Sequence, residues 1–129
     1  MIIILDSNEY ILYLNEQSPL FTKLFGHDIT IFVHELIVKE VLRNISSLQR
    51  KAFYQLLFKS HFTVFHEPLP FSLNEKYKRL GLKKGDSIIA AFCEHIQAGS
   101  LITENRHFLK SKLETKLNIT TLNEFLGNV

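Results

Sequence analysis

Apolar residues fall along this chain in two alternating rhythms. Unbroken runs at Ile2 to Leu5 and Ile29 to Val33 are rich in β-branched side chains, and such runs suit strands covered on both faces, as in a parallel sheet. Thr63 to His66, Leu101 to Thr103 and Leu117 to Thr120 read as three further strands. Between these runs the apolar spacing lengthens to that of a helix. Asp6 and Ser7 are helix-capping types ahead of Tyr10, Ile11 and Leu14, and Ser18 with Pro19 signals a short second helix ending near Gly26. Glu35 to Arg43 carries Leu36, Ile37 and Val41 in helical period, and Ser46 and Ser47 cap a longer helix reaching about Lys59. Pro68 and Pro70 break the chain before a helix ending at Leu80 and Gly81. Gly85 and Asp86 open another through Gln97, closed by Gly99, and a helical turn follows the fifth strand. Strands alternating with helices predict an α/β domain with a mostly parallel sheet of about five strands.

Length and composition narrow the picture. The chain of 129 residues, 46% hydrophobic, is long enough for one ordinary core and too short for two domains, so residues 1–129 are read as one. Fifteen basic against 13 acidic residues give a net charge of +2, which neither announces nor excludes a nucleic-acid partner. The single cysteine, Cys93, excludes an internal disulfide framework and a zinc site of several thiolates; it fits a reducing cytoplasm and reads as a small core residue. The opening MIIIL has neither a basic leader nor a cleavage site, and no run approaches the length of a membrane span. No membrane partner is expected.

Several chemistries lose support. The five glycines stand singly, in neither dinucleotide nor P-loop spacing, and no G-x-S-x-G elbow is present. Six histidines show no ligand pair beside a cysteine. What remains is acidic: Asp6 after the first strand, Glu104 and Asn105 after the fourth, and Asp86 at the start of the helix feeding it. Ligands of open parallel sheets bind beyond the carboxyl ends of the strands, so these positions can share one mouth. Asp6 can equally be a plain helix cap; Asp86 can cap too, but the apolar stretch around it implies a buried helix, where a carboxylate needs a partner or a cation. Of Glu35 and Glu40, five residues apart on one helix, one can face the crevice. Separated carboxylates suit magnesium, which takes one or two of them and keeps several waters.

Four segments in series carry a resemblance. IIILDSN with Asp6, IVKEVLRN with Glu40, KKGDSIIAAFCEHIQAG with Asp86 and SLITENRHFL together resemble the PIN-domain family in order and spacing, and TTLNEFL resembles its closing strand-to-helix turn. The likeness covers essentially the whole chain, at a size similar to the VapC toxins. It implies a three-layer α/β/α domain whose acidic residues hold Mg2+ or Mn2+ and which cuts RNA with metal-activated water in a prokaryotic cytoplasm. It also implies a small antitoxin protein as partner, and a homodimer is expected. Asp6, Glu40 and Asp86 would be the first, second and third metal ligands. The fourth acidic position, in the family's T-x-D pattern, falls on Asn105, which offers a neutral oxygen and removes one negative charge. Thr103 and Asn105 are expected to line the site, with Ser7, Glu104 and His107 in support and Phe108 anchoring the loop.

The stretch AFYQLLFKSHF places Phe53, Leu56, Leu57 and Phe58 within two helical turns, a stripe read first as core packing and otherwise as a dimer or antitoxin face. Lys39, Arg43, Lys83, Lys84 and Arg106 flank the expected crevice as candidate phosphate contacts. The leading expectation is a metal-dependent ribonuclease with Asp6, Glu40, Asp86 and Asn105 at its centre. Against it stand a PIN-like domain that has lost activity and serves as an RNA-binding or protein-interaction module, and a nuclease acting on DNA.

Overall fold

The computed structural model describes residues 1–16, 21–110 and 117–127, without the side chains at 21, 22, 107 and 110. Five strands, β1 (Ile2–Leu5), β2 (Thr30–His34), β3 (Phe62–Phe65), β4 (Ser100–Ile102) and β5 (Asn118–Thr120), form one sheet in the order β3-β2-β1-β4-β5, every pair parallel. The helices are α1 (Ser7–Leu14), α2 (Glu35–Arg43), α3 (Ser47–Leu57), α4 (Phe71–Arg79), α5 (Lys84–His95), α6 (Arg106–Lys110) and α7 (Leu122–Gly127), with a 3-10 segment at Phe21–Gly26. The expected α/β class is what the chain adopts.

Connection handedness sorts the helices into layers. The chain steps outward from β1 to β2 to β3 and then jumps back across β1 to β4. Right-handed crossovers therefore put α1, α2 and α3 on one face and α4 and α5 on the other. The contacts agree, since α1 packs on α2 and α3, and α4 packs on α5. This is a three-layer α/β/α architecture. With both faces covered, β1 is apolar throughout: Ile3, Ile4 and Leu5 are fully buried, as are Ile31, Val33 and Leu101 of its neighbours. Phe92 from α5 closes one side of the core and Phe53 and Tyr10 the other, the last two rings meeting edge to face at 5.7 Å. Cys93 is buried in this core, where desolvation pushes its thiol far above the usual range.

Several expected boundaries move, each for a local reason. The N–H of Ile29 turns back to His27 O at 3.0 Å, and the ladder begins at Thr30, which donates to Met1 O at 2.8 Å. The helix ending at His95 is closed not by Gly99 but by Gln97, which takes the left-handed conformation (φ 56°). Ala98 N–H then reaches Cys93 O and Gln97 N–H reaches Glu94 O, the bonds that satisfy a helix's last carbonyls. Gly99 instead leads into β4 within the sheet, donating to Ile2 O of the central strand at 2.9 Å. Gly81 fills the equivalent place after α4 at φ 95°, where its lack of Cβ avoids strain. The expected caps Ser18 and Pro19 lie outside the described residues. Ser46 caps α3 as expected, in a reciprocal pair with Gln49.

The aromatic stripe divides. Phe53 and Leu56 are core, Leu57 is half-buried, and Phe58 stands 88% exposed. Among the described residues no helix is long and apolar enough to cross a membrane.

Candidate functional site

The chain reverses its direction across the sheet between β1 and β4, and the carboxyl ends of those two strands are neighbours, with Leu5 paired to Ile102. Helices leave the two ends on diverging paths, so a crevice opens above them. Asp6 stands at its floor. Its N–H is drawn into the sheet by Ile102 O at 2.9 Å, while its carboxylate is held from two sides: Oδ1 accepts from Ser7 N–H and Oδ2 from the Thr103 hydroxyl, each at 2.8 Å. The Thr103 oxygen accepts in turn from Asn105 N–H at 2.9 Å. One fully buried threonine thus fixes the first acidic residue and turns the chain after β4. That turn starts α6 at Arg106, where a loop was expected, and Leu109 N–H caps the turn onto Asn105 O at 3.1 Å. Phe108 is buried, as the anchoring role requires.

Two helices complete the walls. On α2, Glu40 faces the crevice, and Glu35 lies outside it, with its carboxylate 3.7 Å from His66 Nδ1. On α5, Asp86 sits in the first turn, where the helix dipole favours negative charge; the capping position belongs to Lys83, so Asp86 is not a cap. The start of α5 is fastened to α4 through the Ser87 hydroxyl, 3.0 Å from Asn74 Oδ1 and 2.8 Å from Lys84 O.

These elements enclose a cleft of about 440 Å3. Asp6, Glu40, Asp86 and Glu104 bring four carboxylates to its lining, and Ser7 and Asn105 lie among them. Among the described residues, no lysine or arginine lines it. Thr103 stands behind Asp6 instead of lining the cleft, and the side chain of His107 lies outside the described residues. Arg43 and Lys84 line an adjoining hollow; Lys39, Lys83 and Arg106 line neither space.

Sequence reasoning passed over Glu9. This residue is 1% exposed, its Oε1 has no hydrogen-bond partner among the described residues, and its carboxyl is pushed up to about 7 by burial, then by the charges of Glu104 and Asp6. The spacing Asp6-x-x-Glu9 reads as a capping box, in which a glutamate returns to the cap's N–H. Here that N–H is taken by Ile102, and the carboxyl is left beneath the cleft. Burial leads that rise, and the neighbouring charges of Glu104 and Asp6 add to it.

A donor set of carboxylate and amide oxygens in a cleft that no lysine or arginine lines among the described residues fits a hard divalent cation. It does not offer a dry cage: among the described residues no three His, Cys, Asp or Glu groups are gathered closely enough to hold a metal. The arrangement suits a hydrated ion held by one or two carboxylates, the habit of magnesium. No family model matches this chain, and no curated protein is a significant match.

Proposed function

We propose that this protein is a metal-dependent endoribonuclease that hydrolyses RNA phosphodiester bonds, resembling the PIN-domain toxins of type II toxin-antitoxin pairs. The observation that carries the reading is the meeting of Asp6, Glu40, Asp86 and Glu104 on one cleft at the sheet's switch point, with no cationic side chain lining it among the described residues. Asp6, Glu40 and Asp86 would hold magnesium or manganese, one or two of them directly and the rest through the ion's retained waters, and the bound ion would supply Lewis-acid activation of water and neutralisation of phosphate charge. The chain's own part is positional. Thr103 and Ser7 hold the Asp6 carboxylate in one orientation through hydrogen bonds of 2.8 Å each, and Thr103 ties Asn105 to the same unit. Asn105 presents a neutral amide where the resembled family has a carboxylate, and Glu104 restores a negative group at the same rim. In this reading the partners are RNA, a small antitoxin protein and a second copy of the chain, in a prokaryotic cytoplasm.

Cleavage of single-stranded RNA in manganese by the wild type, Asp6→Asn and Asp86→Asn tests the reading, beside calorimetry of manganese binding. Cleavage should vanish in both variants, and manganese affinity should fall at least about tenfold, or 1.4 kcal/mol. Variants that cleave as the wild type does would sink the assignment. A second reading, an inactive RNA-binding or protein-interaction module, is favoured by Asn105 and by the lack of a ready-made metal cage among the described residues. Tight RNA or protein binding that ignores metal, without cleavage, would establish it; single-stranded DNA in competition separates a deoxyribonuclease.

A further inference from the structure

The acidic cleft is one end of a longer groove. It shares Glu40, Asn44, Gly85 and Ile89 with a hollow of about 530 Å3 between α2 and α5. That hollow in turn shares His34, Leu36 and Ile88 with a third, of about 270 Å3, at the turn into α4. The chemistry changes along it. After the carboxylates come Arg43 and Lys84, neither of which is in an ion pair with an acid among the described residues. Beyond them the walls are mostly apolar, with Glu35 and Glu67 at their rim, and Phe71, the first residue of α4, is 76% exposed beside Leu36 and Leu69. His34 lies between the two hollows with its Nδ1 accepting from Leu36 N–H at 3.1 Å. The proton of the neutral ring is therefore on Nε2, and burial lowers the pKa in favour of that neutral form.

The geometry points to a nucleotide subsite: a single RNA strand lies along this groove, with the phosphate next to the scissile one on Arg43 and Lys84 and an unpaired base stacked on Phe71 against Leu36. The inference rests on the ribonuclease reading for the nature of the chain that reaches Asp6. Alternation of cations with an exposed aromatic is what a single strand requires, since the backbone is a line of anions and every base has a face to stack. An acidic peptide fits less well. Glu35 and Glu67 stand at the mostly apolar end, where they repel an acidic side chain lodged in the hollow and tolerate a neutral base whose phosphate stays with Arg43 and Lys84.

The test is fluorescence anisotropy with the full chain in EDTA at low salt, using a labelled ten-nucleotide oligouridylate and the same backbone without bases. Phe71→Ala should weaken the base-bearing strand at least about fivefold, the lower end of what one stacked base contributes, and leave the abasic strand unchanged. Arg43→Gln with Lys84→Gln should weaken both strands and flatten the salt dependence. The subsite is overturned if the wild type does not bind, if Phe71→Ala binds as the wild type does or weakens both strands alike, or if polyglutamate displaces the oligonucleotide at equal concentration. Cleavage is read separately in manganese. Phe71-dependent binding by a protein that leaves RNA intact refutes the nuclease and keeps the subsite, whereas cleavage with no Phe71 dependence refutes the subsite alone.

Discussion

Glu9→Gln should remove one pH-dependent part of the stability. The carboxyl is 1% exposed and lacks a partner at Oε1 among the described residues, and its pKa rises from 4.5 to about 7. The folded protein therefore binds a proton at Glu9 that the unfolded chain releases between those two values. Stability contributed by the protonated group is complete below 4.5 and is lost as pH climbs through 7. A rise of that size corresponds to about 3 kcal/mol, a large share of the roughly 5–15 kcal/mol that holds an ordinary domain together. Glutamine keeps the shape and cannot ionise. Urea unfolding of both proteins in EDTA, which removes any divalent cation, at pH values from 4.5 to 8.5 should show a difference near zero at the acid end. It should grow to about 3 kcal/mol in favour of Glu9→Gln above pH 7. Because desolvation leads and the Glu104 charge follows among the causes, Glu104→Gln in the wild-type background should move the transition to lower pH without abolishing it. A difference that stays constant across the range would refute the burial argument.

Two further outcomes follow from packing and hydrogen bonding. Thr103→Val keeps the volume but strips Asp6 Oδ2 of its donor and Asn105 N–H of its acceptor; denaturation should show a loss of about 2 kcal/mol or more, the cost of leaving buried polar groups unpaired, and a loss below about 0.5 kcal/mol would deny the threonine its role. Phe53→Ala and Phe58→Ala remove the same ring from the same stretch of chain, yet the first, fully buried, should cost about 3–5 kcal/mol. The second, 88% exposed, should stay within about 0.5 kcal/mol in the same measurement.

The fold was legible because its signals are short-range. A β-branched run covered on both faces, a cap with its reciprocal partner at Ser46 and Gln49, and prolines ahead of α4 each act within a few residues, so alternation of strand and helix survives any error of one residue at a boundary. Placing Asp6 and Glu104 just beyond strand ends also followed from local order, once the sheet was taken as parallel. What the chain does between Thr103 and Phe108 did not follow, because the start of α6 depends on a hydroxyl whose other partner is Asp6, 97 positions away. Glu9 shows the same limit more sharply. Whether that glutamate returns to the helix cap or is driven into the interior depends on who takes the Asp6 N–H. The competitor is Ile102 O, available only because β4 was inserted beside β1 by the reversal of strand order. The step that creates the crevice thus also strands a carboxyl beneath it, so the same topology that gathers the cleft's charge raises the cost of ionising Glu9.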